Sequence, residues 1–151
     1  MLFPLRQTSL YPHFHEIIPN LFIGNYRSPE YSTQFDLIVN CTKHLPITFL
    51  NTIRISVDDH PSETRSLVKH VRESHVLEKI HQFLFDNKKV LVHCHAGMQR
   101  SCAVVAFYLL KYYNTTPEEV IRYIREKRSI AFQPEPTFRE AIYDDLVNKN
   151  K

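Results

Sequence analysis

The sequence KKVLVHCHAGMQRSCAVVAFYLL, residues 88–110, joins a short apolar segment to a long one through a compact loop. Residues 90–92 are apolar and β-prone, which predicts a buried strand, and residues 101–113 are apolar nearly all round, which predicts a central helix. The chain contains two glycines, and one of them, Gly97, lies in the loop between this strand and this helix. Because ligands of open α/β sheets bind at the carboxyl ends of strands, the loop is a predicted ligand site.

The segments around this unit alternate between strand and helix patterns, as expected for an α/β domain. Apolar runs predict strands at 21–23 and 37–40, and alternating polarity predicts a further strand at 53–57. Helices are predicted to begin at Ser28, at Thr116 and at Thr137, and a further helix is predicted over residues 70–86. We therefore predict a single α/β domain with a central, mainly parallel sheet of about four or five strands and helices on both faces.

The composition is that of an ordinary globular protein of 151 residues, with 43% hydrophobic and 23% charged residues. The formal net charge of +3 is small, and no run of like charges marks a nucleic-acid-binding arm. Three cysteines without a C-x-x-C pair argue against a disulfide framework or a zinc knuckle. The sequence has no apolar run long enough for a membrane span and no signal-peptide core, so we expect a reduced, intracellular protein.

Cys94 directly follows the predicted strand and precedes the predicted central helix. Amide N–H groups of the loop and of the first helical turn favour an anion there, and Gly97 allows the backbone conformation that such a loop needs. The same amides and Arg100 are expected to hold Cys94 as a nucleophilic thiolate. The guanidinium of Arg100 can bind two phosphoryl oxygens, and the hydroxyl of Ser101 can donate to the sulfur as it leaves. The alternative is a buried, purely structural Cys94.

The loop HCHAGMQRS, residues 93–101, resembles the H-C-x-x-G-x-x-R-S signature of the cysteine-dependent protein tyrosine phosphatases, and specifically of the dual-specificity phosphatases. EIIPNLFIGNYRSPE is similar to the opening strand and turn of that family, FDLIVNCT to its second strand, and AFQPEPTFREAIYDDL to its closing segment. The sequence of the closing segment and the compact length of the chain look most like those of the small phosphatases of large DNA viruses. Residues 1–15 predict an irregular lead-in from their own sequence, and the resemblance implies a catalytic domain over 16–151.

The resemblance further implies hydrolysis through a cysteinyl-phosphate intermediate, without a cofactor or a metal. The residues expected to surround the phosphate are His95, Ala96, Gly97, Met98, Gln99 and Arg100. His93 is expected to hydrogen-bond the backbone and support Cys94, and Asn40 could hold the loop through its side chain or simply end its strand. A metal bound by His93 and His95 is disfavoured, because these side chains would not share one face with the sulfur.

The family's mechanism requires an acid that protonates the leaving oxygen, and Asp58 and Asp59 follow the end of a predicted strand. Family members tend to place core-facing apolar residues two and four positions before the acid. Ile55 and Val57 stand at those offsets from Asp59, so the alternation of strand side chains favours Asp59 over Asp58. The interval between Asp59 and Cys94 is longer than is usual in the family. Asp58, or a structural role for both residues, therefore stays open.

The expected substrates are proteins phosphorylated on tyrosine, serine or threonine, because the loop lacks the lysines that lipid phosphatases of the superfamily tend to carry. Arg27, Arg65, Arg72 and Arg128 could steer such a partner or could be solvated surface. The alternatives are an RNA 5′-triphosphatase or nucleotide phosphatase, and a pseudophosphatase that binds phosphopeptides without cleaving them. We expect no nucleic-acid or membrane partner, a monomer or weak homodimer, and a cytoplasmic location (the host-cell cytoplasm or the virion if the protein is viral).

Overall fold

The computed structural model describes residues 12–149. Within this range the strands are β1 (Phe14–Ile18), β2 (Leu21–Gly24), β3 (Leu37–Asn40), β4 (Thr52–Arg54) and β5 (Val90–His93). The α-helices of the same range are α1 (Thr64–Ser74), α2 (Val76–Phe85), α3 (Arg100–Tyr112), α4 (Pro117–Lys127) and α5 (Arg139–Tyr143). The described residues also form 3₁₀-helices at Ser28–Gln34 and Pro61–Glu63. No helix between residues 12 and 149 combines the length and the apolar surface that crossing a bilayer requires.

The strands of residues 12–149 form one five-stranded sheet in the order β1-β2-β5-β3-β4. β1 is antiparallel to β2 and the other neighbours are parallel, which confirms the predicted, mainly parallel sheet. β5 is central, so the loop that follows it lies at the middle of the carboxyl edge. Residues 14 and 15 belong to β1 rather than to the predicted lead-in, and residues 1–11 of that lead-in lie outside the described range.

The two faces of the sheet are covered differently. Alternate residues of β2, β3 and β5 point to opposite faces, and the larger core contains residues from each of the α-helices named above. α3 lies deepest, since its residues 101–109 are all buried. The smaller core on the other face is built on Phe35, Ile38 and Leu91. The covering helix on that face is the 3₁₀-helix Ser28–Gln34, whose Tyr31 packs edge-on against Phe14. Flanking helices are thus confirmed, with the α-helices on one face.

The single helix predicted over 70–86 is wrong, because α1 and α2 together cover residues 64–85. They are separated at His75, whose φ of 55° is left-handed and ends α1. The hydroxyl of Ser74 accepts a hydrogen bond from the amide of Val76 (3.2 Å), which stabilises the bend. The apolar spacing continues through both helices, so it carries no sign of the break.

The strand predicted over 53–57 also ends early, since β4 stops at Arg54. Ile55 and Val57 are nevertheless buried in the larger core, as the alternation predicts, whereas the acidic residue Asp59 is exposed. The extended segment therefore leaves the sheet before the acidic residues. This brings Asp59 to the loop that follows β5.

The predicted helix starts have different outcomes. The capping box at Thr116 is confirmed, because its hydroxyl accepts from the amide of Glu119 (3.2 Å) and the Glu119 carboxylate accepts from the Thr116 amide (3.0 Å). The helix predicted from Ser28 forms as a 3₁₀-helix. Thr137 does not cap α5, whose start has no side-chain cap; its amide donates instead to the side chain of Gln99 (2.9 Å).

Candidate active site

Cys94 is the first residue after β5, at the centre of the carboxyl edge of the sheet. It is buried, with 2% of its surface exposed, and its Sγ lies 3.2 Å from the hydroxyl of Ser101 in the first turn of α3. The structure thus places Ser101 within hydrogen-bond distance of the sulfur, as the sequence predicts. A site at the N-terminus of a helix also favours negative charge, which suits a thiolate.

The loop over residues 95–99 has the backbone of an anion-binding site. Among the hydrogen bonds formed within residues 12–149, none is donated by the amide N–H groups of residues 95–99. Gly97 has a φ of 71°, and a Cβ added there would lie 2.6 Å from the carbonyl oxygen of Gly24. Glycine is therefore required where the loop passes β2, and the unpaired amides are the donors that a phosphoryl group would need.

Arg100 is the first residue of α3 and contacts the segment that carries the acidic residues. Its Nη1 donates to the carbonyl oxygen of Val57 (3.1 Å), while its Nε is buried without a hydrogen-bond partner among the described residues. An unpaired buried donor costs about 1–3 kcal/mol. An oxygen of a bound phosphoryl group could accept from this Nε, so the unpaired donor indicates an anion site.

A cavity of about 440 Å³ opens over Cys94. Its walls are the loop of residues 95–99 with the flanking Cys94 and Arg100 (called the cysteine loop below), Asp59 and residues of the segment 133–137. Cys94, Arg100 and Asp59 all line it. The structure thus brings together the residues predicted as the nucleophile, the phosphate-binding arginine and the general acid.

The two candidate acids have different surroundings. Asp59 lines the cavity, and its carboxylate makes no hydrogen bond or ion pair with the described residues. Asp58 does not line the cavity, and its Oδ2 lies 3.1 Å from the Nζ of Lys43 in an ion pair. This geometry favours Asp59, the choice that follows from the alternation of Ile55 and Val57.

His93, the last residue of β5, is almost fully buried, with 1% exposed. Its Nδ1 lies 3.3 Å from the carbonyl oxygen of Cys94, which is the predicted type of backbone contact. Burial lowers the pKa of His93 to about 4, and the nearby charge of Arg54 acts in the same direction. The imidazole is therefore neutral near pH 7, and it supports the backbone of Cys94 rather than adding a charge beside the sulfur.

The buried His93 is expected to make stability depend on pH. Its pKa is about 4 in the folded protein and about 6.5 in the unfolded chain, so the unfolded chain binds the proton first as the pH falls. His93 should therefore lower the free energy of unfolding by up to about 3 kcal/mol as the pH falls from about 6.5 to about 4. Urea unfolding of wild type and His93→Gln across this window measures the effect. Equal losses of stability in the two proteins would contradict it.

Two roles are open for Asn40 from the sequence, support of the cysteine loop and the end of its strand, and its side chain makes no hydrogen bond to the cysteine loop within residues 12–149. Its Oδ1 accepts from the amide (3.1 Å) and hydroxyl (2.7 Å) of Thr42, and its Nδ2 donates to the carbonyl oxygen of Leu45 (3.2 Å). Asn40 therefore orders the loop that follows β3. Because β3 neighbours β5, this loop lies at the same edge of the sheet as the cysteine loop.

Arg128 is neither solvated surface nor a steering residue, because only 1% of it is exposed. Its Nε donates to the carbonyl oxygen of Gly97 (2.8 Å), its Nη2 to that of Ala96 (3.2 Å), and its Nη1 to that of Pro12 (3.0 Å). Burial lowers the pKa of Arg128 from its usual value, and these carbonyl oxygens compensate the guanidinium. Arg128 thus stabilises the cysteine loop through the carbonyl oxygens of its backbone. No local sequence pattern around Arg128 indicates this role.

Gln99 was expected among the phosphate-binding residues, but its side chain is engaged elsewhere. Its Nε2 donates to the carbonyl oxygens of Gln133 and Glu135 (both 3.0 Å), and its Oε1 accepts from the amide of Thr137 (2.9 Å). Only its backbone amide is available to an anion. The side chain fastens one wall of the cavity to the cysteine loop.

Three more of the residues predicted to surround the phosphate lie at the cavity. His95, Ala96 and Met98 line the cavity, and the ring of His95 stacks on Tyr26 with centroids 4.9 Å apart. Within residues 12–149, no three histidine, cysteine or acidic side chains converge to form a metal site.

The remaining arginines lie away from the cavity. Arg27 pairs with Glu30 (3.2 Å), and Arg72 donates to the carbonyl oxygens of Leu146 and Val147, which ties α1 to the segment after α5. Arg65 lines a separate cavity beside α1.

A parallel sheet that ends in a buried cysteine, followed by a glycine-containing loop of unpaired amides and an arginine, is the arrangement of a cysteine-dependent phosphatase. A family profile described as "Dual specificity phosphatase, catalytic domain" matches residues 21–145. The chain therefore belongs to the dual specificity phosphatase family.

Relatives with similar sequences carry names of the same kind. Protein 123R of Invertebrate iridescent virus 6, whose name assigns it to the tyrosine phosphatases, is 34% identical over 121 residues, which cover 78% of this chain and 81% of that protein. Tyrosine-protein phosphatase yvh1 of Schizosaccharomyces pombe is 33% identical over 124 residues, which cover 76% of this chain and 36% of that longer protein. The predicted resemblance to dual-specificity phosphatases, including a viral one, is confirmed.

Solved structures show the same fold. Human DUSP28 matches with a TM-score of 0.75 and 23% identity, over 89% of this chain and 95% of that one. OH1 from the Orf virus, described as a tyrosine phosphatase with triple substrate specificity, matches with a TM-score of 0.68 and 18% identity, over 93% of this chain and 90% of that one. At these identities the likeness concerns the fold.

Proposed function

We propose that this protein removes phosphate from phosphotyrosine and from phosphoserine or phosphothreonine in proteins, through a cysteinyl-phosphate intermediate. The observation that carries the proposal is the unpaired Nε of Arg100 together with the unpaired amides of residues 95–99, in the loop that forms one wall of the cavity over Cys94. Such a set of donors would bind the three oxygens of a phosphoryl group and present its phosphorus to the sulfur.

In the first step the Sγ of Cys94 attacks phosphorus, so that an S–P bond forms while the bond from phosphorus to the substrate oxygen breaks. The carboxyl of Asp59 gives its proton to that oxygen, which leaves as a neutral alcohol or phenol. The loop amides and Arg100 stabilise the negative charge on the remaining phosphoryl oxygens.

In the second step water attacks the cysteinyl phosphate and the S–P bond breaks. The carboxylate of Asp59, ionised in the first step, takes a proton from this water. The hydroxyl of Ser101, 3.2 Å from Sγ, donates to the sulfur as it leaves as a thiolate. Inorganic phosphate is released, and both Cys94 and Asp59 return to their starting protonation states.

The walls of the cavity support a phosphorylated protein side chain as the substrate. With about 440 Å³, the cavity has room for a phosphotyrosine ring and also admits a shorter phosphothreonine. The loop residues 95–99 include no lysine that would meet the additional phosphates of a lipid head group. Three free thiols suit a reducing compartment, so we place the enzyme in the cytoplasm. We also propose that it acts on phosphoproteins without a cofactor and as a monomer or weak homodimer.

A comparison of substrates tests the proposal. Peptides of one sequence that carry either phosphotyrosine or phosphothreonine, and an RNA with a 5′-triphosphate, are offered to the same enzyme preparation. We expect both peptides to be hydrolysed with a kcat/KM at least about tenfold above that for the RNA, and orthovanadate to inhibit competitively. Faster turnover of the RNA would identify a triphosphatase instead. Binding of the peptides without hydrolysis would identify a pseudophosphatase.

A further inference from the structure

We propose that Lys43 and Glu63 are positioning residues for the general acid Asp59, and that they fix the backbone that carries it. This inference rests on the proposed function, because it assumes that Asp59 is the acid. It assigns a task to two charged side chains that do not line the catalytic cavity. The name acid clamp is used below for the three residues Lys43, Asp58 and Glu63.

The acid clamp is centred on one carboxylate. The Nζ of Lys43 lies 3.1 Å from the Oδ2 of Asp58 and 3.1 Å from the Oε1 of Glu63. The same Oε1 accepts a hydrogen bond from the backbone amide of Asp58 (3.0 Å). These two donors lower the pKa of Glu63, which keeps it ionised. Glu63 therefore binds the backbone of the residue directly before Asp59, and Lys43 holds Glu63 in place.

The backbone is also fixed just before Asp58 and just after Asp59. Val57 is fully buried, and its carbonyl oxygen accepts from the Nη1 of Arg100 (3.1 Å). After Asp59, the Nδ1 of His60 accepts from the amide of Ser62 (3.1 Å) and so caps the 3₁₀-helix that contains Glu63. The backbone is thus held on both sides of Asp59, whose own carboxylate makes no hydrogen bond or ion pair with a described residue.

The acid clamp also connects two loops at the catalytic edge of the sheet. Lys43 lies in the loop after β3, which Asn40 orders through Thr42 and which Arg54 binds through the carbonyl oxygen of Thr42 (2.7 Å). Asp59 itself lies between β4 and the 3₁₀-helix Pro61–Glu63, outside regular secondary structure. An ionic attachment to an ordered loop limits the movement of this segment and keeps the carboxyl near the leaving oxygen.

A positioning role predicts a loss of rate that depends on the leaving group. Ion pairs this exposed contribute little to stability, so unfolding measurements cannot detect the role. Protonation matters most when the leaving oxygen is strongly basic, as for a phenol such as tyrosine with a pKa of about 10. It matters little for a nitrophenol, which leaves readily as an anion. A displaced acid should therefore slow the first class of substrate and spare the second.

The test is a series of aryl phosphates whose leaving groups span this range of basicity, with the full chain as wild type, Lys43→Met, Lys43→Arg and Asp59→Asn. We expect Lys43→Met to lower kcat/KM by about five- to tenfold for phenyl phosphate and by less than about twofold for a nitrophenyl phosphate. Lys43→Arg should restore at least half of the loss, because a guanidinium can bridge the same two carboxylates.

Lys111→Met provides the matched control. Lys111 has the same side-chain exposure as Lys43, 34%, and makes one ion pair of similar length, 3.0 Å to Glu78, away from the cavity. It should leave the whole series unchanged. Equal losses across the series in Lys43→Met, or no loss at all, would overturn the acid clamp. If Asp59→Asn itself shows no dependence on the leaving group, the assignment of the acid fails, which is a different outcome from failure of the clamp.

Discussion

Cys94→Ser is expected to lower the turnover of aryl phosphates and phosphopeptides by at least about 10⁴-fold. A serine hydroxyl at this position is not ionised near pH 7, so the S–P bond has no effective substitute. The other two thiols cannot replace it. Cys41 and Cys102 are fully buried, and burial raises the pKa of each above its usual value.

Two measurements check this expectation. Steady-state kinetics give the loss of turnover, and mass spectrometry of acid-quenched wild type should show one added phosphoryl group on the peptide that contains Cys94. Cys41→Ala is the control, because the Cys41 sulfur is fully buried and makes no hydrogen bond within residues 12–149, so turnover should stay within about threefold of wild type. Cys94→Ser should still bind phosphopeptide, since the loop amides and Arg100 are unchanged. Turnover that persists in Cys94→Ser would refute the proposed mechanism.

Asp59→Asn is expected to lower kcat by about 10²-fold or more for phosphotyrosine peptides. An asparagine keeps the size of the side chain but can neither give a proton to the leaving oxygen nor take one from water. Steady-state kinetics of wild type and Asp59→Asn on the same phosphotyrosine peptide measure this loss.

Asp58→Asn separates the two candidate acids. It removes one ion pair of Lys43 but keeps the backbone hydrogen bond to Glu63, so kcat should fall by no more than about threefold. A larger loss in Asp58→Asn than in Asp59→Asn would show that the alternation of strand side chains misassigns the acid.

The unit of strand, cysteine loop and helix could be predicted because its signals are local. An apolar run before Cys94, a glycine in the loop and an apolar helix after Arg100 each depend on neighbouring residues. The choice of Asp59 also follows from local alternation, since Ile55 and Val57 stay in the core although β4 ends before them.

The supports of the site could not be predicted, because they join residues that are far apart in the chain. Nothing near Arg128 indicates that its guanidinium binds the carbonyl oxygens of Ala96 and Gly97. Glutamine is mostly an exposed residue, so the sequence does not mark Gln99 as a buried contact. The break at His75 could not be predicted either, because the apolar spacing continues through α1 and α2 and gives no sign of the left-handed backbone between them.

The contacts of Arg128 bear on how the protein can be shortened. Its Nη1 donates to the carbonyl oxygen of Pro12 and to the Nδ1 of His15, while its Nε and Nη2 hold the turn around Gly97. A truncated form that starts at the profile boundary, residue 21, would remove the outer strand together with both of these acceptors. Crystallisation or screening fragments should therefore keep the chain from Pro12 onward, even though no catalytic group lies there.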